Sequence, residues 1–210
     1  MLNVCMLSGS FEYDSEASLT IFKTFVEKHY PIHANLVVYN SEDHDPSLGA
    51  LADADALLVF TRRLNTEGVS LKQFQAYCEQ GRPLVGVRTA SHAYQNWLEF
   101  DKTVLGGDYQ GHYGEGPPTQ VELIDTEHPI LNGISAFDCY GSLYKNPSLR
   151  DDTSLLLMGH TDEHSEPVAW TRLHNGGRIC YTSLGHQKDF EVEPFLRVLA
   201  QSILWVAEQI

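Results

Sequence analysis

The sequence is short of positive charge. Its 210 residues include 14 Lys and Arg against 28 Asp and Glu, a formal net charge of -14. A phosphate backbone needs clustered Lys and Arg to replace its counterions, and an anionic membrane asks for the same, so neither partner is expected. Long apolar runs are missing too. None approaches the ~20 residues a helix needs to cross a bilayer. The segment from Met1 to Glu16 has an apolar run of strand length, no basic flank and no small-residue cleavage site, so no targeting segment is expected there. Cysteine is sparse, and Cys5, Cys78, Cys139 and Cys180 form no CxxC pair. Cys5 and Cys180 lie in apolar strand-like runs and Cys78 on the apolar stripe of a helix. They read as reduced core residues, and an acidic cytoplasmic protein is expected.

What is present fits one domain over 1–210, with no repeat, linker or low-complexity stretch. The first half alternates strand and helix. Asn3 to Leu7 reads as a strand that opens into Ser8-Gly9-Ser10. A helix follows from about Ser15, with Ile21, Phe22, Phe25 and Val26 at helical spacing and Pro31 beyond its end. Ala34 to Tyr39, Ala56 to Thr61 and Leu84 to Val87 read as further strands. Between the last two, Leu71, Phe74 and Cys78 mark a helix from about Ser70 to Gln80, closed by Gly81 and Pro83. This alternation predicts parallel βαβ units, hence an α/β fold with a mainly parallel sheet covered by helices on both faces. Glu99 to Pro118 breaks the pattern with Gly106-Gly107, Gly111, Gly114, Gly116 and Pro117-Pro118. It reads as a long insertion of the functional kind. Strands are then expected at Gln120 to Ile124, Ser154 to Met158, Pro167 to Arg172 and Gly177 to Thr182, the last two joined by a tight turn at Asn175-Gly176-Gly177. A closing helix runs from Pro194 to about Glu208.

Ligands of such sheets bind in the loops at the carboxyl ends of the strands. Glu12 and Tyr13 follow the first strand. Arg62-Arg63 follow the third, Arg88, Thr89 and His92 the fourth, and His186 to Asp189 the last. Val85-Gly86-Val87-Arg88-Thr89-Ala90 has the layout of a nucleophile elbow, which reads Gly-x-Cys-x-Gly in class I glutamine amidotransferases. A guanidinium is always protonated and cannot attack a carbonyl, so Arg88 excludes thiol-based glutamine hydrolysis at this position.

Phe100-Asp101-Lys102-Thr103-Val104-Leu105-Gly106-Gly107, His128-Pro129-Ile130-Leu131-Asn132-Gly133, and Pro167 to Arg172 through Tyr181-Thr182-Ser183-Leu184-Gly185-His186 resemble signature segments of the ThuA-like family. They fall in similar order across most of the chain. The resemblance implies a flavodoxin-like, doubly wound fold of the class I amidotransferase superfamily and a link to bacterial disaccharide catabolism. Many members carry Gly-Leu-His-Ser-Ala where this chain has Gly86-Val87-Arg88-Thr89-Ala90, with His92 shortly after.

Arg88, His112 and His186 are the candidate catalytic residues, expected to meet at the carboxyl rim. His186 suits a general base or a metal ligand. His112 sits between glycines that let the backbone approach a ligand. Arg88 suits polarising a carbonyl or holding a carboxylate or hydroxyls. Glu12, Tyr13, Arg62, Thr89, His92, Tyr113 and Asp189 are candidate ligand contacts, with Tyr144 or Lys145 at the rim as a further option. Each also fits a structural role. A divalent metal on His92, His112 and His186 stays open, as does a homo-oligomer. His160 and His164 have metal-ligand spacing only in a helix, and Thr161 to Pro167 reads as a turn. Glu42 to Asp45 reads as a solvated loop. Two functions remain: an enzyme acting on a carbohydrate-like small molecule, and a non-catalytic binding or subunit-interaction module of amidotransferase shape.

Overall fold

The computed structural model describes residues 1–114 and 118–210, so Gly116 and Pro117 of the insertion lie outside the described residues. The first half runs β1 (Leu2–Gly9), α1 (Ser15–His29), β2 (Ile32–Val38), β3 (Ala56–Thr61), α2 (Val69–Glu79) and β4 (Leu84–Val87). The second runs β5 (Thr119–Leu123), β6 (Phe137–Cys139), β7 (Ser154–His160), β8 (Ser165–His174), β9 (Gly177–Thr182) and α3 (Glu193–Val206).

Among the described residues the strands form one nine-stranded sheet in the order β2-β1-β3-β4-β9-β8-β7-β5-β6. From β2 to β9 every pairing is parallel. Beyond β9 every pairing is antiparallel. The expected mainly parallel sheet is therefore corrected to a mixed one. The reason is the turn chemistry already visible in the sequence. Asn175 and Gly176 take φ of 49° and 87°, and His174 pairs with Gly177 across them. A two-residue hairpin joins antiparallel neighbours only. β6 escaped the sequence reading because its three residues are too few to show a period.

Side-chain alternation divides the core into two layers. Val4, Met6, Leu58, Phe60, Val85 and Val87 pack under α1 and α3. Cys5, Leu7, Leu57, Val59 and Leu84 pack under α2. Helices thus cover both faces of the parallel half. The buried stripe of α1 is Leu19, Phe22 and Val26, while Ile21 is 42% exposed. On α2 it is Leu71, Phe74, Tyr77 and Cys78. Asp45 is not the idle loop residue expected. Its carboxylate accepts the amides of Val69 and Ser70 at 2.8 Å each, and so caps α2 from outside the helix.

Because β1, β3, β4 and β9 run parallel, their carboxyl ends and following loops open on one rim. From β1 the chain goes on to β2 on one side, and from β3 to β4 on the other, so an open-sheet crevice forms between β1 and β3.

Candidate functional site

β4 ends at Val87, and Arg88 then takes a left-handed backbone, φ 45°, before the short turn Arg88–His92. An L-residue holds this conformation at a cost of about 1 kcal/mol or more, so surrounding contacts must fix it. Tyr181 Oη donates to the Arg88 carbonyl at 2.7 Å. At Gly86 a Cβ would stand 2.9 Å from the Tyr181 ring, which explains the glycine. The elbow backbone is present, with arginine at its apex. The Arg88 side chain is 1% exposed. Its Nη1 donates to the Ser183 carbonyl at 2.9 Å, and its Nη2 to Tyr13 Oη at 3.2 Å and the Ser142 carbonyl at 3.3 Å. The guanidinium carbon lies 4.5 Å from the Tyr13 ring centroid and 4.6 Å from that of Tyr144, in cation–π contact with both.

His186 follows β9 across Gly185, whose φ of 124° is glycine territory. The imidazole Nδ1 accepts the Lys188 amide at 3.2 Å, and the ring meets Tyr13 edge-on at 6.1 Å. Burial lowers its pKa below the ordinary value, with Asp189 opposing and Arg88 and Lys188 adding to the decrease. The ring is neutral at pH 7, and with Nδ1 accepting, its proton sits on Nε2.

The insertion folds back along the segment 143–145. Gln110 N donates to Lys145 O, Lys145 N to Gly111 O, and Tyr113 N to Leu143 O, at 2.9, 2.9 and 3.0 Å. This ladder sets exposed His112 beside Tyr144, with ring centroids 6.4 Å apart.

Arg88, His112 and His186 thereby line one cleft of about 320 Å³, together with Glu12 and Tyr13. Tyr140 and Ser142 complete its wall. Arg62 stands behind, its Nε 2.9 Å from Glu12 Oε2. A larger cavity of about 540 Å³ lies between α1 and α3 beside Phe25, His29 and Leu196, and none of the expected site residues lines it.

Other candidates do not line the cleft. Thr89 is buried and donates to Ser10 Oγ at 3.0 Å. His92 is 8% exposed, stacks on Tyr109 at 4.6 Å and shares a 3.0 Å hydrogen bond with Ser91 Oγ. Burial, with Arg62, Arg63 and Arg88 nearby, pushes its pKa down to about 3, so it is neutral. Tyr113 Oη donates to Glu166 at 2.8 Å, with Lys145 Nζ 4.6 Å from its ring, outside the cleft. Asp189 is fully buried, and its carboxylate accepts the backbone amides of Tyr140, Gly185 and His186. It builds the wall from behind. Among the described residues no three His, Cys, Asp or Glu side chains gather as a metal site. His160 ends β7 and His164 lies in the turn before β8, so the pair has no helical spacing.

Tyr140 and Ser142 were missed as site residues because they follow the unrecognised β6. Tyr109, under His92, carried no signal beyond its place in the insertion. The four cysteines are free and buried. Burial pushes Cys5 and Cys180 up to about 12 and raises Cys78 and Cys139, so none supplies a thiolate.

The family model for ThuA, trehalose utilisation, matches residues 3–206. A ThuA-like protein from Bacteroides uniformis superposes with a TM-score of 0.75 at 19% identity, over 98% of this chain and 91% of that one. A glutamine amidotransferase from Thermotoga maritima gives 0.56 at 11% identity, over 99% and 98%. The carbohydrate deacetylase Agd3 gives 0.66 at 12% identity, over 97% of this chain and 32% of that one. At these identities the likeness is one of fold. No curated protein matches by sequence. No helix among the described residues is long and apolar enough to cross a membrane. With the family model matching nearly its whole length, the chain belongs to the ThuA family.

Proposed function

We propose that this chain is an enzyme of carbohydrate catabolism that binds a sugar or oxidised sugar in the cleft at the carboxyl rim. The observation that carries this reading is the meeting of Arg88, His112 and His186, from three separate segments, on one cleft. Arg88 polarises a carbonyl or holds an oxygen cluster, since its donors are fixed and always charged. His186 presents Nε2–H to the cleft as a donor, because its neutral ring accepts the Lys188 amide on Nδ1. His112 faces the same space from the folded-back insertion, and with Nδ1 donating to the Tyr113 carbonyl its Nε2 is the base. Tyr13 and Tyr140 present ring surface to the ligand. Proton abstraction beside a carbonyl and hydrolysis both suit this set. The family name and the carbohydrate-acting neighbour lend the sugar assignment its direction. Four buried reduced cysteines suit a cytoplasmic setting.

A second reading, a non-catalytic binding module, is favoured by the arginine standing where the superfamily keeps its nucleophile. Thermal shift across a sugar panel, with and without divalent cations, followed by product analysis, tests both. One compound should raise the melting temperature and be consumed, and His186→Asn should stop consumption. A shift without turnover supports the module, and no shift with any sugar ends the first reading.

A further inference from the structure

Resting on that cleft reading, we propose that the ligand carries a carboxylate held by Nη2 of Arg88, which makes it a sugar acid and not a neutral sugar. Two arginines of the described residues are buried, Arg88 and Arg172. Each leaves Nε unpaired. Arg172 has a counter-charge, Asp152, at 2.8 Å. Arg88 has no carboxylate in contact among the described residues: its partners are the neutral oxygens of Ser183, Tyr13 and Ser142, and buried Asp189 acts on it only from further off. A buried cation without a contact anion is costly, and two tyrosine faces and Asp189 offset that cost. Acid is not scarce in a chain with 28 Asp and Glu. Yet the acid that lines the cleft, Glu12, is engaged by Arg62.

Geometry selects the donor. Nη1 is committed to Ser183 at 2.9 Å, whereas the Nη2 contacts are loose, at 3.2 to 3.4 Å. The partners of Nη2, Tyr13 and Ser142, line the cleft beside Arg88. Nε is closed off from the cleft, so Nη2 is the donor that gives a carboxylate its charged hydrogen bond. Arg62, Arg63 and Arg88 stand close enough to His92 to act against its protonation, so three guanidinium groups gather near this rim.

The test is calorimetric titration of the wild-type chain with matched compounds: D-glucuronate, D-glucuronamide and D-glucose, the galacto series, D-gluconate against D-glucitol, and D-glucose 6-phosphate. One acid should bind about tenfold or more tightly than its own amide and neutral sugar. Arg88→Gln should erase that preference, and Arg88→Lys, which keeps charge but loses the seat on the Ser183 carbonyl, should keep part of it. If Arg88→Gln does not fold, the acid-to-amide ratio on the wild type still decides. Equal binding of acid and amide, or tighter binding of a neutral sugar, overturns the carboxylate and leaves the sugar cleft standing. Tighter binding of the phosphate also overturns it. Binding of none of them overturns both.

Discussion

The carboxylate of Asp189 accepts the backbone amide of His186 at 2.8 Å, and the His186 ring accepts the amide of Lys188, so each caps the turn that presents the other. Asp189 shares the site with His186 by shaping the wall, not by touching a ligand. Its second oxygen takes the amide of Tyr140 at 2.7 Å, which ties the Tyr140 side of the cleft to the His186 side.

Asp189→Asn should therefore behave as a structural lesion. An amide placed there turns at least one donor toward a backbone N–H inside the core. A loss of about 2–4 kcal/mol is expected, read by urea unfolding. A variant as stable as the wild type would show that the three amides have other partners.

His186 and His112 should separate from Asp189 in the same assay. His186→Asn keeps a capping acceptor, and His112 is exposed. Both variants should unfold within about 0.5 kcal/mol of the wild type and lose ligand-induced stabilisation. Marked destabilisation with ligand response intact would make these histidines structural.

His92 and Asp101 should oppose each other in acid. Burial holds His92 down at about 3 and Asp101 up at about 6. Below pH ~6.5 the unfolded chain takes up a proton that folded His92 refuses, so its contribution falls by about 1.4 kcal/mol per pH unit down to about pH 3. Asp101 has the other sign. Its contribution is full below pH ~4 and is lost as pH rises through about 6. Between those limits the two nearly cancel. His92→Gln should expose the Asp101 slope, gaining stability relative to wild type as pH falls from about 6 to about 4. Chemical melts across that range check it, and parallel curves for the two proteins would contradict it.

The parallel half was legible because its residues obey one rule each. Ala56 to Thr61 is buried throughout, as a central parallel strand must be. Leu71, Phe74 and Cys78 keep helical spacing. Arg88, His112 and His186 were found from their place after strands and in a glycine-rich insertion. Tyr140 was not, because β6 is a three-residue edge strand. The role of Asp189 was hidden as well, since one of its partners, Tyr140, lies far away in the sequence and offers a backbone amide, which no residue type announces. Asp45 was misread for the same reason.

The thiols give a direct check that no cysteine of this chain hydrolyses glutamine. Native protein should react with a disulfide reagent at none of its cysteines, and all four should react in denaturant. Ammonia release from glutamine should be absent. Release sensitive to iodoacetamide would mean that a buried thiol reaches the cleft.

Gly141 offers the sharpest probe of Arg88 without altering Arg88. A Cβ at Gly141 would lie 2.5 Å from Nη1 and 2.7 Å from Cζ of the guanidinium. The end of a long side chain usually gives way at small cost. Here it is clamped by the Ser183 carbonyl and by two tyrosine rings, so it can yield only by breaking those contacts. Gly141→Ala should cost about 1–3 kcal/mol and push the guanidinium from its seat. Ligand affinity should drop about tenfold with the loss of the charged hydrogen bonds. Gly114→Ala is the matched control: it sits two residues from His112, and a Cβ there meets nothing within 4 Å. It should change neither stability nor binding. If Gly141→Ala melts like Gly114→Ala and binds as the wild type does, the Arg88 side chain is free to move, and a fixed guanidinium cannot be what selects the ligand.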